Sequence, residues 1–185
     1  MMWDLPVSVT IHNIEYLIRN KCDYRVILDT IVALNDKELS LENRLKCALY
    51  IFYEDLTQIE DIQEAISQMM KIINLGKECI SHQDDNMPPL MSWEHDFPLI
   101  APPVSRILGY SVRDENNYTH WYDFIGAYQE IGECSWSTIV SIRNKRRKGR
   151  KLDDEERRIY EENKEIINLP QQLSEEDADW LDLYD

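Results

Sequence analysis

Cys79-Ile80-Ser81-His82, with His95 and Asp96 downstream, is the nearest this sequence comes to a metal-ligating cluster. A C-x-x-H pair can put a thiolate and an imidazole on one ion, but a structural zinc site takes about four such ligands. The pair therefore reads as a helix-end thiol and a loop imidazole, and no metal is expected. His120, beside Trp121, is of a residue type that serves as a general base, yet no Ser, Cys or carboxylate stands at a spacing that requires it. It is expected to hydrogen-bond locally at a helix start. The carboxylate pairs Asp84-Asp85, Asp153-Asp154 and Glu155-Glu156 lie in polar surroundings, where both groups stay solvated. No G-x-x-x-x-G-K-[ST], G-x-G-x-x-G, G-x-S-x-G or H-E-x-x-H pattern occurs. No catalytic residue and no cofactor is assigned, and the chain is expected to act without catalysis.

The sharpest feature is a charge strip. Arg143, Lys145, Arg146, Arg147, Lys148, Arg150 and Lys151 are seven bases in nine positions, with no acid among them. Its flanks are opposite in sign: residues 152 to 185 hold thirteen acids and three bases, residues 1 to 142 twenty-two and ten, and the chain totals −15. Such a strip can hold phosphates or an acidic partner, or it can be a solvated helix end that complements the C-terminal dipole. Nucleic acid is disfavoured, because no aromatic interleaves the bases for stacking and the rest of the chain is acidic. A nucleic-acid complex would also weaken steeply with salt, about a thousandfold between 50 and 200 mM for six or more phosphate contacts. The tail beyond Pro170 is acidic and carries Trp180, Leu181, Leu183 and Tyr184, a candidate docking patch. The seven bases and Trp180 are the candidate partner-binding residues.

The elements that must carry these residues follow from periodicity. With 185 residues, 43% of them hydrophobic, the chain can build one core, read as a helical domain over 1–170 followed by an acidic tail over 171–185. Val7-Ser8-Val9-Thr10-Ile11 alternates with period two and Ile14 to Ile18 follows His12-Asn13, so a hairpin is predicted over about 7–18. Tyr24, Ile27, Leu28, Ile31 and Leu34 mark a helix stopping near Asn35-Asp36. Ser40 caps a second helix with Leu41, Leu45, Ala48, Leu49 and Phe52 on its buried face, and Ile62 to Ile73 forms a third, closed by Gly76.

Residues 77–92 read as an exposed loop and a seam. Pro98, Pro102 and Pro103 predict two short helices or one kinked one between Trp93 and Gly109. Tyr118, Trp121, Ile125 and Tyr128 share a helical spacing. Ser135 is expected to cap the next helix, with Trp136, Ile139, Val140 and Arg143 along it, and Asp153 another running through Ile159, Tyr160 and Ile167. Gly149 separates these two. Four cysteines without a paired spacing are expected to remain thiols. No apolar run approaches a membrane span and Met1 to Pro6 has no leader pattern, so the cytoplasm of the producing cell is expected.

Several of these segments are similar to a known family. Tyr118-Thr119-His120-Trp121-Tyr122-Asp123-Phe124-Ile125, then Ile131-Gly132-Glu133-Cys134-Ser135-Trp136 through Arg143, then Lys148-Gly149-Arg150-Lys151-Leu152-Asp153 resemble the bacteriophage gene-product-fifteen family of tailed phages of Gram-positive bacteria. Tyr160 to Asn163, Leu169-Pro170, Asp96-Phe97-Pro98 through Pro103, the Asn35 to Ser40 turn and the N-terminal hairpin extend the resemblance over nearly all of 5–170. It implies a place in tail morphogenesis, ahead of the tape-measure gene, and by gene order the role of a tail assembly chaperone. The implied partners are the tape-measure protein and the major tail protein, with self-association as a further expectation; no catalytic residues are implied. Two rival roles remain at this point: a structural tail component kept in the virion, and a nucleic-acid-binding regulator working through 143–151.

Overall fold

The computed structural model describes residues 4–77 and 89–169. Its only sheet among them is a two-stranded antiparallel hairpin, β1 (Ser8–Ile11) and β2 (Ile14–Leu17), in which Ile11 faces Ile14 and Val9 faces Tyr16. His12 and Asn13 between them both take positive φ, 49° and 66°, the backbone of the primed turn that matches strand twist. Val9 and Ile11 are buried, so this face of the hairpin closes on the helices.

Eight α-helices follow among the described residues: α1 (Tyr24–Asn35), α2 (Leu41–Phe52), α3 (Ile62–Ile73), α4 (Trp93–Leu108), α5 (Trp121–Gln129), α6 (Ser135–Arg147), α7 (Asp154–Glu162) and α8 (Lys164–Ile167). The mainly helical reading with a small N-terminal hairpin therefore holds. α2 packs against α1 and α3, α1 also meets α4 and α5, and α4 reaches α6. Their buried stripes, including Ile27, Leu49, Phe52, Met69, Ile100, Phe124 and Ile142, join one core cluster. Aromatic rings tie its centre: Tyr24 stacks on Phe124 at 4.3 Å between centroids, and Trp93 lies 5.1 Å from Tyr128 and 6.2 Å from Trp121.

Ser40 caps α2 through the Asn43 N–H, as its hydroxyl allows. Other boundaries moved. α4 is a single helix of sixteen residues despite its three prolines. Pro102 has no N–H for the Pro98 carbonyl, and Arg113 supplies one instead, its Nη2 donating to that oxygen at 3.1 Å. α6 is capped by Cys134 rather than Ser135: the Cys134 N–H donates to Ser137 Oγ at 2.9 Å. Tyr118 precedes α5, whose cap is His120. Asp153 caps α7 as expected, but Asn163 breaks the run before Ile167 and α8 starts anew. At the end of α3 the first left-handed residue is Leu75 (φ 58°), and Gly76 follows it (φ 78°). Of residues 77–92, 78–88 lie outside the described residues.

One turn has no counterpart in the sequence pattern. Asn20, Lys21 and Cys22 are successively left-handed, with φ of 48°, 54° and 63°, a backbone that costs roughly 1–2 kcal/mol per non-glycine residue. Tertiary bonds hold it open: the Cys22 carbonyl accepts from the Trp121 N–H at 2.9 Å, the Lys21 carbonyl from the Tyr118 hydroxyl at 2.7 Å, and Tyr24 N–H donates to the Thr119 carbonyl at 2.9 Å. The turn is thereby the hinge that seats α1 against the start of α5.

Candidate interaction surface

The basic strip occupies the last turns of α6 and the residues that close it. Gly149 (φ 63°) makes the closure: its N–H donates to the Arg146 carbonyl at 3.0 Å and Arg150 N–H reaches back to the Lys145 carbonyl at 2.8 Å. These are the two bonds of a Schellman cap, which a residue without Cβ forms at least cost. The cap turns the chain so that Lys148, Arg150 and Lys151 all project into solvent at the helix end.

The strip is not uniform. Arg143, counted with the partner contacts from sequence, is withdrawn from any partner because it is buried, 6% exposed. All five of its N–H bonds are used. Nη1 and Nη2 donate to the two carboxylate oxygens of Asp96 at 2.7 and 2.8 Å, Nε to the Ile167 carbonyl at 2.8 Å, Nη2 to the Ile166 carbonyl at 2.7 Å, and Nη1 to the Leu90 carbonyl at 3.1 Å. The Trp136 ring lies 5.7 Å from its guanidinium carbon. Asp96 Oδ2 also accepts the Ser92 N–H at 2.9 Å, closing the first turn of α4. One arginine thus locks α4, α6 and α8 together.

The next positions are half engaged. Lys145 donates to Glu156 of α7 at 2.5 Å, and Arg146 lies 4.2 Å over the Tyr160 ring while donating to Asn168 Oδ1 at 2.5 Å. Arg147 is half-buried at the end of α6. Lys148, Arg150 and Lys151 are exposed and make no ion pair among the described residues. Trp180 and the acidic tail lie outside the described residues.

Sequence reading missed the partner of Arg143, which lies 47 positions away, although a signal was present. Arg143 falls on the same stripe as Trp136, Ile139 and Val140, where a base can be kept only if a carboxylate meets it. Of the metal candidates, Cys79 and His82 lie outside the described residues and Asp96 is engaged by Arg143. Among the described residues no three His, Cys, Asp or Glu converge as a metal site.

His120 does hydrogen-bond locally: Nδ1 accepts the Tyr122 N–H at 3.0 Å. That leaves Nε2 as the protonated nitrogen, donating to the Pro6 carbonyl at 2.9 Å, so the ring also pins the N-terminal segment. Burial pushes the Cys22 thiol up to about 12, against the pull of the Trp121 backbone, which disfavours the nucleophilic thiolate. Among the described residues no helix is long and apolar enough to cross a membrane.

A family model described as "Bacteriophage Gp15 protein" matches residues 2–169. No curated protein and no solved structure matches the chain.

Proposed function

Since this chain belongs to the Bacteriophage Gp15 protein family, a family of phage structural or morphogenesis proteins, we propose that it works without catalysis as a tail assembly chaperone in the host cytoplasm, holding the tape-measure protein, the major tail protein or both before the tail polymerises. The resemblance of residues 5–170 to that family supports the reading at the level of pathway. At the level of residues one observation carries it. Lys148, Arg150 and Lys151 stand exposed on a cap anchored by the buried Arg143–Asp96 pair. A cationic end without an ion pair among the described residues suits an acidic stretch of a partner, and grooves between helices suit a long helical one. Charged contacts of this kind set association rate and specificity more than affinity, as expected of a chaperone that must release its client.

The test is an affinity pull-down of the tagged protein from cells producing the phage, with nuclease treatment and mass spectrometry of what stays bound. Enrichment of the tape-measure or major tail protein supports the proposal. Recovery of neither, with binding that vanishes on nuclease treatment, overturns it in favour of a nucleic-acid role. Stoichiometric amounts in purified virions would instead make it a structural tail component.

A further inference from the structure

We infer that the exposed basic end of α6 is occupied in the free protein by the chain's own acidic tail, residues 171–185, which any acidic partner must displace. The geometry of the chain's exit carries the inference. Arg143 holds the carbonyls of Ile166 and Ile167, and Arg146, one turn further along α6, holds the side chain of Asn168. Residues 166 to 168 are therefore pinned in order along α6, running toward its C-terminal end. The last described residues thus lie at the end of α6 that carries Lys148, Arg150 and Lys151.

Charge and length agree. Residues 171–185 contain Glu175, Glu176, Asp177, Asp179, Asp182 and Asp185 and no base. Glu175 is six residues beyond Leu169, and six extended residues reach roughly 20 Å. The bases from Arg146 to Lys151 lie within that distance, because five positions on a helix and its cap advance under roughly 10 Å. The family match covers residues 2–169 and stops short of the tail. Its effective concentration at the helix end is on the order of millimolar, which lets even a weak contact be populated. The inference concerns the free protein, so its failure would leave the chaperone reading standing.

The experiment is zero-length carbodiimide crosslinking of the full chain, mixed from equal parts of unlabelled and nitrogen-15-labelled protein, followed by mass spectrometry of the linked peptides. Links from Lys148 or Lys151 to Glu175 through Asp179 are expected, within one isotopic species, at several-fold the yield from exposed Lys37 and Lys71. About 0.5 M salt should remove the excess, since screening then acts within a few ångström. Arg150→Ser should lower the yield as well, while leaving every crosslinkable group in place. The salt titration needs no variant and so does not depend on the fold of that substitution. Equal yields at all four lysines, yields indifferent to salt, or links only between the two isotopic species would overturn the inference, the last by making the tail a bridge to a second copy.

Discussion

Arg143 and Asp96 meet through two parallel hydrogen bonds of 2.7 and 2.8 Å, with their side chains 5% and 0% exposed. Desolvating both charges is costly, and the geometry offsets it only because every N–H of the guanidinium finds an oxygen. Removing one partner strands the other. Asp96→Ala is expected to destabilise the fold by about 3–5 kcal/mol, whereas Asp96→Leu combined with Arg143→Met should recover most of that loss. Urea unfolding of the three proteins decides it; equal midpoints for Asp96→Ala and wild type would remove the pair from the list of structural anchors.

Two glycines should respond in opposite directions to the same change. Gly149 sits at φ 63°, where a Cβ is strained, so Gly149→Ala is expected to cost about 1 kcal/mol. Gly126 lies inside α5, and beyond its chain neighbours and the helix's own backbone no atom comes within 4 Å of where a Cβ would be, so Gly126→Ala should add about 0.5–1 kcal/mol. Thermal melts of both variants, compared with wild type, report the two signs directly.

Acid should unfold the protein partly through its turn and cap carboxylates. Backbone N–H groups hold three aspartates below the ordinary value of 3.8: that of Glu64 for Asp61, helped by His12, that of Asn116 for Asp114, and that of Glu156 for Asp153. A depressed folded pKa means stability that is whole above the unfolded value and lost as pH falls through the folded one. Burial raises Asp29, which works in the opposite sense in the window just above 3.8. Urea midpoints measured down a pH series should fall most steeply below about pH 4. The double variant Asp61→Asn, Asp153→Asn should flatten that slope; an unchanged slope would mean that other groups control acid unfolding.

Thiol labelling should separate the cysteines. Cys47 is exposed on α2 and should react with iodoacetamide in the folded protein, while Cys22, buried and with its thiol raised to about 12, should react only after unfolding. Peptide mapping after a native pulse and a denatured pulse gives both rates. Native labelling of Cys22 would show that the left-handed turn at Asn20 to Cys22 opens readily.

Most of the helical framework was legible because its information is local. The stripes of α1, α2 and α3 repeat at the helical period, and Ser40 and Asp153 announce their helices through a side-chain oxygen placed before the apolar run. The misplacements came where a local signal met a distant partner. Three prolines argued for a break in α4, and Arg113 made it unnecessary by bonding the carbonyl that Pro102 leaves open. Within the strip, composition treated seven bases alike; burial separates Arg143 from Lys148, Arg150 and Lys151.

By itself the sequence determined the mainly helical class, the hairpin, the caps of α2 and α7, the charge strip and the family, since each rests on residue types at short spacing or on an ordered string of them. Only the tertiary structure decided which base is a buried anchor and which is exposed, and where the strained turn at Asn20 to Cys22 is held. It also decided that residues 166 to 168 run along α6 toward its basic end. Those outcomes depend on contacts between residues tens of positions apart, such as Arg143 with Asp96 and Cys22 with Trp121. The desolvation of an ion pair or the support of a left-handed backbone exists only once such partners have been brought together.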